Sequence, residues 1–243
     1  MNNTSISHSP RPAQLAAALL GAALSLGAAS ANAALQGRNL DANAATFEAY
    51  YDSTLNITWL ADADIAKTRG EANEGRKNWG DAQAYAAALD VFGVTGWRLP
   101  KVTPRDGSAA YNLAFKNDGS SDIGYAVAGT GWGTTSELGH LYYVTLANPA
   151  FSLTNTAPFS QLAANDYWTS SLPVRIATTG FSFNSGIGLQ NTASLGFTYK
   201  MWAVRDGDIG VSAPIPEPQT YALMLAGLAA TAVVVKRRRR NVD

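Results

Sequence analysis

Residues 46–60 read TFEAYYDSTLNITWL. Two runs rich in aromatic and β-branched side chains, Phe47 to Tyr51 and Ile57 to Leu60, flank the polar stretch Asp52-Ser-Thr-Leu-Asn56. Bulky side chains of this kind suit a pleated, half-buried surface, and a polar centre suits a turn. The stretch therefore predicts a β-hairpin. Asn56-Ile-Thr58 also matches a glycosylation sequon, which the bacterial-type tail described below makes coincidental.

Outward from the hairpin the pattern changes. Residues 61–77, ADADIAKTRGEANEGRK, are polar and charged and read as a loop. Residues 78–92 place Trp79, Ala82, Ala86 and Leu89 at spacings of three and four, one face of a helix, with Asn78 to cap it and Gly93 to end it. Gly96-Trp-Arg-Leu-Pro100 reads as a short buried strand stopped by proline. Residues 103–133 are rich in Gly, Ser, Asp and Asn and form a long excursion. Thr134-Thr-Ser-Glu137 has the capping-box form and opens a second helix, whose apolar face is Leu138, Leu141, Tyr142 and Leu146 and which Asn148-Pro149 ends. Strands follow at Tyr167 to Ser171, around Phe181 and Phe183, and at Phe197, Tyr199 and Met201 running on into Trp202-Ala-Val-Arg205. Two helices and several antiparallel strands predict an α+β domain.

Composition narrows the function classes. Residues 34–215 hold 12 Lys and Arg against 16 Asp and Glu, a balance of 12 − 16 = −4, so the net charge of zero hides an acidic body and a basic tip. An acidic body argues against nucleic acid, which needs clustered cations. With no cysteine, the domain holds by its apolar core alone and has neither a thiol nucleophile nor a thiolate metal site.

Few residues suggest chemistry. His140 is the one histidine after residue 33, so neither a triad nor a two-histidine metal site can be built on it, and a structural or surface role is expected. Asp62, Asp64, Glu71 and Glu74 offer carboxylates, but in a polar loop where charges are solvated rather than held across a bond. Asp118, Ser120 and Asp122 place oxygens at alternate positions and are the weak metal candidates; the EF-hand glycine and distal glutamate are missing, and a plain Asp-Gly turn is the simpler reading. Of the tryptophans Trp59, Trp79, Trp97, Trp132, Trp168 and Trp202, core packing suits five. Trp132 lies between glycines in GTGWGTT and is the candidate for an exposed ring that stacks on a sugar. No catalytic residue and no cofactor are expected.

The ends speak of transport. Arg11, the apolar run at 13–29 and SANA at 30–33 predict a secretory signal peptide over residues 1–33, cut by signal peptidase after Ala33 or Ala31. At the other end, residues 214–240 read PIPEPQTYALMLAGLAATAVVVKRRRR. The apolar stretch 220–235 makes a helix of about 24 Å at 1.5 Å per residue, a little short of a hydrocarbon core of about 30 Å. Lys236, Arg237, Arg238, Arg239 and Arg240 would hold its end in the cytoplasm.

Two resemblances follow. Segments YYDSTLNITWLADAD, NWGDAQAYAAAL, GWRLPKVTP, TSELGHLYYVTL, YWTSS and MWAVRDGD, in this order over 45–208, resemble the Lcl-type C-terminal domain family, a domain of unknown function. That resemblance implies, for residues 34–210, a C-type-lectin-like fold with two helices, a curled antiparallel sheet and neighbouring chain ends. It implies no catalytic residues, and some members are adhesins that bind sulfated polysaccharide. Pro216, Glu217 and Pro218, the apolar stretch and the basic cluster make 211–243 resemble the PEP-CTERM sorting signal, with Gln219 where a small residue is usual. This implies an exported protein of a Gram-negative bacterium, held briefly at the inner membrane, processed by an exosortase, and placed at the cell surface or in an exopolysaccharide-rich matrix. The expected function is that of a non-enzymatic envelope or matrix protein, with a lectin-like module for exopolysaccharide and an enzyme as the alternatives.

Overall fold

The computed structural model describes residues 35–210, except 42, 44 and 174–176. The signal peptide expected at 1–33, the sorting residues Pro216, Glu217 and Pro218, the span expected at 220–235 and the basic cluster at 236–240 all lie outside the described residues. Among the described residues, no helix is long and apolar enough to cross a membrane.

The hairpin forms as its residues predict. Strands β2 (Ala49–Asp52) and β3 (Ile57–Leu60) pair antiparallel, Tyr50 opposite Trp59 and Asp52 opposite Ile57. Asp52 makes the turn: its buried carboxylate accepts the Thr54 and Leu55 amides at 2.9 and 3.1 Å. Every residue of β3 is buried because it is central, with β2 on one side and β7 (Val204–Asp206) on the other. Strand β1 (Gln36–Arg38) joins the outer side of β2, giving the order β1-β2-β3-β7. Elements from the two ends of the domain thus share a sheet. The buried Arg38 guanidinium locks them by forking onto Asp208 at 2.6 and 2.7 Å.

A second antiparallel sheet contains β4 (Asp166–Trp168), β5 (Thr179–Asn184) and β6 (Leu189–Ser194), in that order. The segment 199–203 bridges the sheets. Its Ala203 carbonyl accepts from Leu60 and its Lys200 carbonyl from Trp168. Phe197, Tyr199 and Met201 therefore do not form the predicted alternating strand. They belong to an extended connector held by single bridges, with Phe197 exposed and Met201 buried. Gly96 to Pro100 is likewise no strand: Arg98 makes one bridge to Val204, while Trp97 and Leu99 fill the core. Pro100 has no amide to continue the pairing.

The polar stretch 61–77 holds two short turns of helix, α1 (Ile65–Thr68) and a 3₁₀ turn Asn73–Gly75, both too short to leave a periodic signal. Helix α2 (Trp79–Ala88) starts as predicted, with the Asn78 side chain accepting from the Asp81 amide and Ala82 and Ala86 buried, but it ends at Ala88, where Leu89 turns extended, and does not reach Gly93. The second predicted helix is altered. Its cap is Ser136, which accepts from the Gly139 amide, and not Thr134. Glu137 then occupies the first helical position, turned to Arg98 rather than to the cap. Helix α3 (Glu137–His140) lasts one turn and widens into a π turn, Leu141–Thr145. The small Gly139 matters here, because a Cβ on it would lie 2.5 Å from the Trp132 ring.

The aromatic core binds these parts together. Trp202 meets Trp59, Phe159 and Tyr167 at ring separations of 5.1, 4.8 and 5.9 Å. Five indole N–H groups donate to backbone carbonyls: Trp79 to Thr169, Trp132 to Ser121, Trp168 to Lys77 and Trp202 to Leu60 across segments, and Trp97 to Val94 within its own. Only Trp59 Nε1 has no acceptor among them. Tryptophan serves this fold twice, as apolar volume and as a staple for backbone without a ladder.

Candidate functional site

Between Val102 and Ser136 no strand or helix forms, so the backbone of the excursion must find partners piece by piece. Asp122 supplies two of them with its side chain. Its buried carboxylate accepts the Arg105 amide at 2.8 Å and the Asn112 amide at 2.7 Å, and its own amide donates to Asn112. Gln190, fully buried on β6, donates to the Asp122 carbonyl at 2.8 Å and accepts from Ser136 Oγ at 2.5 Å. Segment 112–116 consequently runs beside 121–125, where Lys116 and Gly124 bridge. Gly124 has φ of +118°, and a Cβ there would sit 1.8 Å from the Lys116 oxygen, so only glycine fits. Gly124 and Gln190 also exchange two backbone hydrogen bonds, which moors the excursion on β6.

This arrangement decides the residues singled out in the sequence. Asp118 is exposed and accepts from the Ser120 amide and hydroxyl, and the hydroxyl holds its carboxyl below the usual range. Asp122 is spent on backbone amides. The two do not converge, and among the described residues no group of three His, Asp or Glu side chains could hold a metal ion. Trp132 is 1 % exposed, not an open ring. Its flanking glycines let the chain fold the indole inward, where it meets Tyr143 and Phe183 edge-on and donates to Ser121.

His140 is buried, its Nδ1–H donating to the Gly133 carbonyl at 2.9 Å and its Nε2 without a partner. Glu71 and Glu74 form surface ion pairs with Lys77 and Lys67 at 2.9 and 2.7 Å. Asp62 accepts the Asp64 amide. Asp64 itself is buried against Lys200 at 2.5 Å, and Lys200 also donates to the Glu74 carbonyl. Burial pushes the Asp64 carboxyl up, and the Lys200 ammonium partly opposes this. These four carboxylates therefore do not face one another across a cleft.

What the excursion does present is a cleft of about 240 Å³ lined by Arg105, Asp106, Asn112, Ser120 and Asp122. The Arg105 guanidinium and the Asn112 Nδ2 make no hydrogen bond to a described residue, so both keep donors for a ligand. The same paired segments carry Phe115 and Tyr125, and Phe151 joins them from after the π turn. Tyr125 stands 5.9 Å from Phe115 and 4.3 Å from Phe151, ring centre to ring centre. The sequence points to Ser120 and Asp122 only as weak metal candidates, and to none of Arg105, Asn112, Phe115, Tyr125 and Phe151. The one available signal was the presence of Tyr111, Phe115 and Tyr125 in a stretch otherwise made of small and polar residues.

No curated protein matches the chain. Residues 214–240 match the PEP-CTERM protein-sorting motif, the tail of exported proteins processed by an exosortase.

Proposed function

We propose that this chain is a non-enzymatic protein of the cell envelope or extracellular matrix, exported and then sorted by an exosortase. The match at 214–240 carries the reading. In it, signal peptidase removes residues 1–33, and the stretch 220–235 sits briefly in the inner membrane of a Gram-negative host. The five basic residues hold that stretch in one orientation. The exosortase acts at Pro216, Glu217 and Pro218, where prolines keep the backbone extended and free of two amide donors. The body at 34–210 is then the cargo, read as an Lcl-type, C-type-lectin-like domain. Two antiparallel sheets, few helices and the Arg38–Asp208 lock between the ends support that fold. Asp62, Asp64, Glu71 and Glu74 go to a turn and to ion pairs rather than to a shared cleft, which fits the non-enzymatic reading.

A second reading, a lectin-like module for exopolysaccharide, is favoured by one observation: the cleft with unused donors on Arg105 and Asn112. Mass spectrometry of the protein recovered from its native envelope tests the first reading. The mature chain should lack residues 236–243, and Ala at Pro216, Glu217 and Pro218 should restore them. A wild-type protein that keeps its basic cluster would make the tail a plain anchor.

A further inference from the structure

Lysine and aspartate are seldom buried, and a buried pair is stable only when its remaining lone pairs and protons find partners. Lys200 and Asp64 are 3 % and 6 % exposed and meet at 2.5 Å, Nζ to Oδ2. The second Asp64 oxygen, Oδ1, is buried without a hydrogen-bond partner, so the contact is one-armed. The chain neighbours Ala63, Ala66 and Met201 are buried and apolar. Both backbones are fixed. The Lys200 amide donates to Asp166 at 2.9 Å and its carbonyl accepts from Trp168 at 3.0 Å. The Asp64 carbonyl accepts from Thr68 at 3.1 Å, and its amide donates to the Asp62 carboxylate at 2.8 Å. An amine and a carboxyl are thus held in contact away from water. Tyr167, bridged to Lys200 along the backbone, has a buried hydroxyl that also lacks a partner. Burial raises this hydroxyl and the Asp64 charge adds to the effect, so it stays a protonated donor within reach of that charge.

We propose that Lys200 Nζ and Asp64 Cγ condense into an amide, an internal cross-link between residues 136 apart in the chain. The ammonium first passes a proton to the carboxylate within the pair, which leaves a neutral amine and a neutral acid. Nζ then attacks Cγ. The C–N bond forms, the bond from Cγ to the hydroxyl breaks, and the hydroxyl leaves with a proton from the nitrogen as water. No oxidant or further reactant is needed. Tyr167 is the donor assigned to polarise the carboxyl. Fixed contact replaces a bimolecular encounter, and exclusion of water slows the reverse hydrolysis. Condensation also removes two charges from an apolar interior, where each is costly. The link ties the stretch after β3 to the connector between the sheets. A chain without cysteine has no disulfide to do this outside the cell. Before closure the two groups are the ion pair seen here and Asp64 titrates as a carboxyl; after closure it no longer does. Closure does not depend on how the tail is processed.

The test compares intact masses of mature wild type and D64L/K200M, both from the producing cells. The variant removes both charges together, so no lone charge is left in the core and it serves as the unlinked standard. Beyond the mass of the two substitutions, wild type should be lighter by one water. A protease digest of wild type should hold a branched peptide that joins Asp64 to Lys200 and is missing from the variant. Wild type at full mass overturns the proposal. So does a water lost from both chains, which would come from an Asp-Gly bond such as Asp118-Gly119. Y167F keeps both reacting groups and, sampled early after synthesis, should show a larger unlinked fraction than wild type. Equal fractions would overturn the part given to Tyr167. The presence or absence of residues 236–243 in the same spectra reports separately on the export reading.

Discussion

The hairpin at 49–60 and the excursion at 103–136 lie on the same domain and are held by opposite means. In the hairpin, four residue pairs share a ladder, so no single side chain decides its shape. In the excursion, the Asp122 carboxylate and the Trp132 indole do much of the work a ladder would do. A ladder distributes stability and tolerates change at one position. A loop organised by side chains concentrates stability in few groups, and leaves others, such as Arg105 and Phe115, exposed. The first kind of region is suited to carrying the second.

The largest effect should come from the core that both regions share. Lys200 and Asp64 are buried, and Lys200→Ala would strand the carboxylate in an apolar setting. Breaking a buried pair in this way costs about 3–5 kcal/mol. The double variant D64L/K200M should recover most of that loss in denaturant titration, because neither charge is left alone. If the double variant is no better than the single, the pair contributes attraction and not merely mutual neutralisation.

Next come two tryptophans that separate packing from stapling. Trp59→Phe and Trp132→Phe remove similar volume, but only Trp132 gives up a hydrogen bond, leaving the Ser121 carbonyl without its donor. The Trp132 variant should be the less stable by about 1–3 kcal/mol, the cost of an unsatisfied buried polar group. Equal losses would mean that the excursion does not depend on its indole. Asp122→Asn should cost about 1–2 kcal/mol, since one amide then faces an NH₂. Hydrogen exchange at Arg105 and Asn112 should quicken while the hairpin amides stay protected.

How far the sequence reveals these regions follows from the same contrast. The hairpin and α2 are local: aromatic and β-branched runs around Asp52, and the three-and-four spacing of Ala82, Ala86 and Leu89, are enough to find them. Strand β1 pairs with nearby β2 but is three residues long and leaves no pattern, while β7, the end of the run predicted to Arg205, finds its place beside β3 through contacts about 150 residues apart, such as Ile57 with Asp206. Trp132 misleads for a related reason. Flanking glycines suggest an open loop, but the site of burial is made by Gly139 and Tyr143 on the helical turns that follow and by Phe183 on β5. The capping box at 134–137 fails because Ser136 takes the cap and Glu137 turns to the half-buried Arg98, which donates to both of its carboxylate oxygens. The side chains that line the cleft leave the weakest trace, since a cleft built from loop residues has no period.

The smallest effect tests the rim of the same sheet by pH. Arg98 is kept protonated: burial opposes its charge, but Glu137 and Asp206 outweigh it. In return the Arg98 hydrogen bond holds the Asp206 carboxyl below the usual carboxylate range, and Arg38 does the same for Asp208. A carboxyl lowered on folding stabilises the fold above its unfolded pKa, about 4, and that contribution is lost as pH falls through the lower folded value. Asp64 is raised by burial and has the opposite sign, favouring the fold as its carboxylate takes up a proton. Acid unfolding is thus a difference between exposed acids that destabilise the fold on protonation and one buried acid that relieves it. Asp206 is two-thirds exposed, so solvent screens its pair and Asp206→Asn should cost under about 1 kcal/mol at neutral pH. The same substitution should flatten the fall in stability below about pH 4, measured by urea titration at successive pH values. D64N should do the reverse and steepen that fall, because the relieving group is gone. If D206N leaves the acid limb unchanged, the Arg98 network is a surface decoration and the closure of the sheet rests on its backbone ladder.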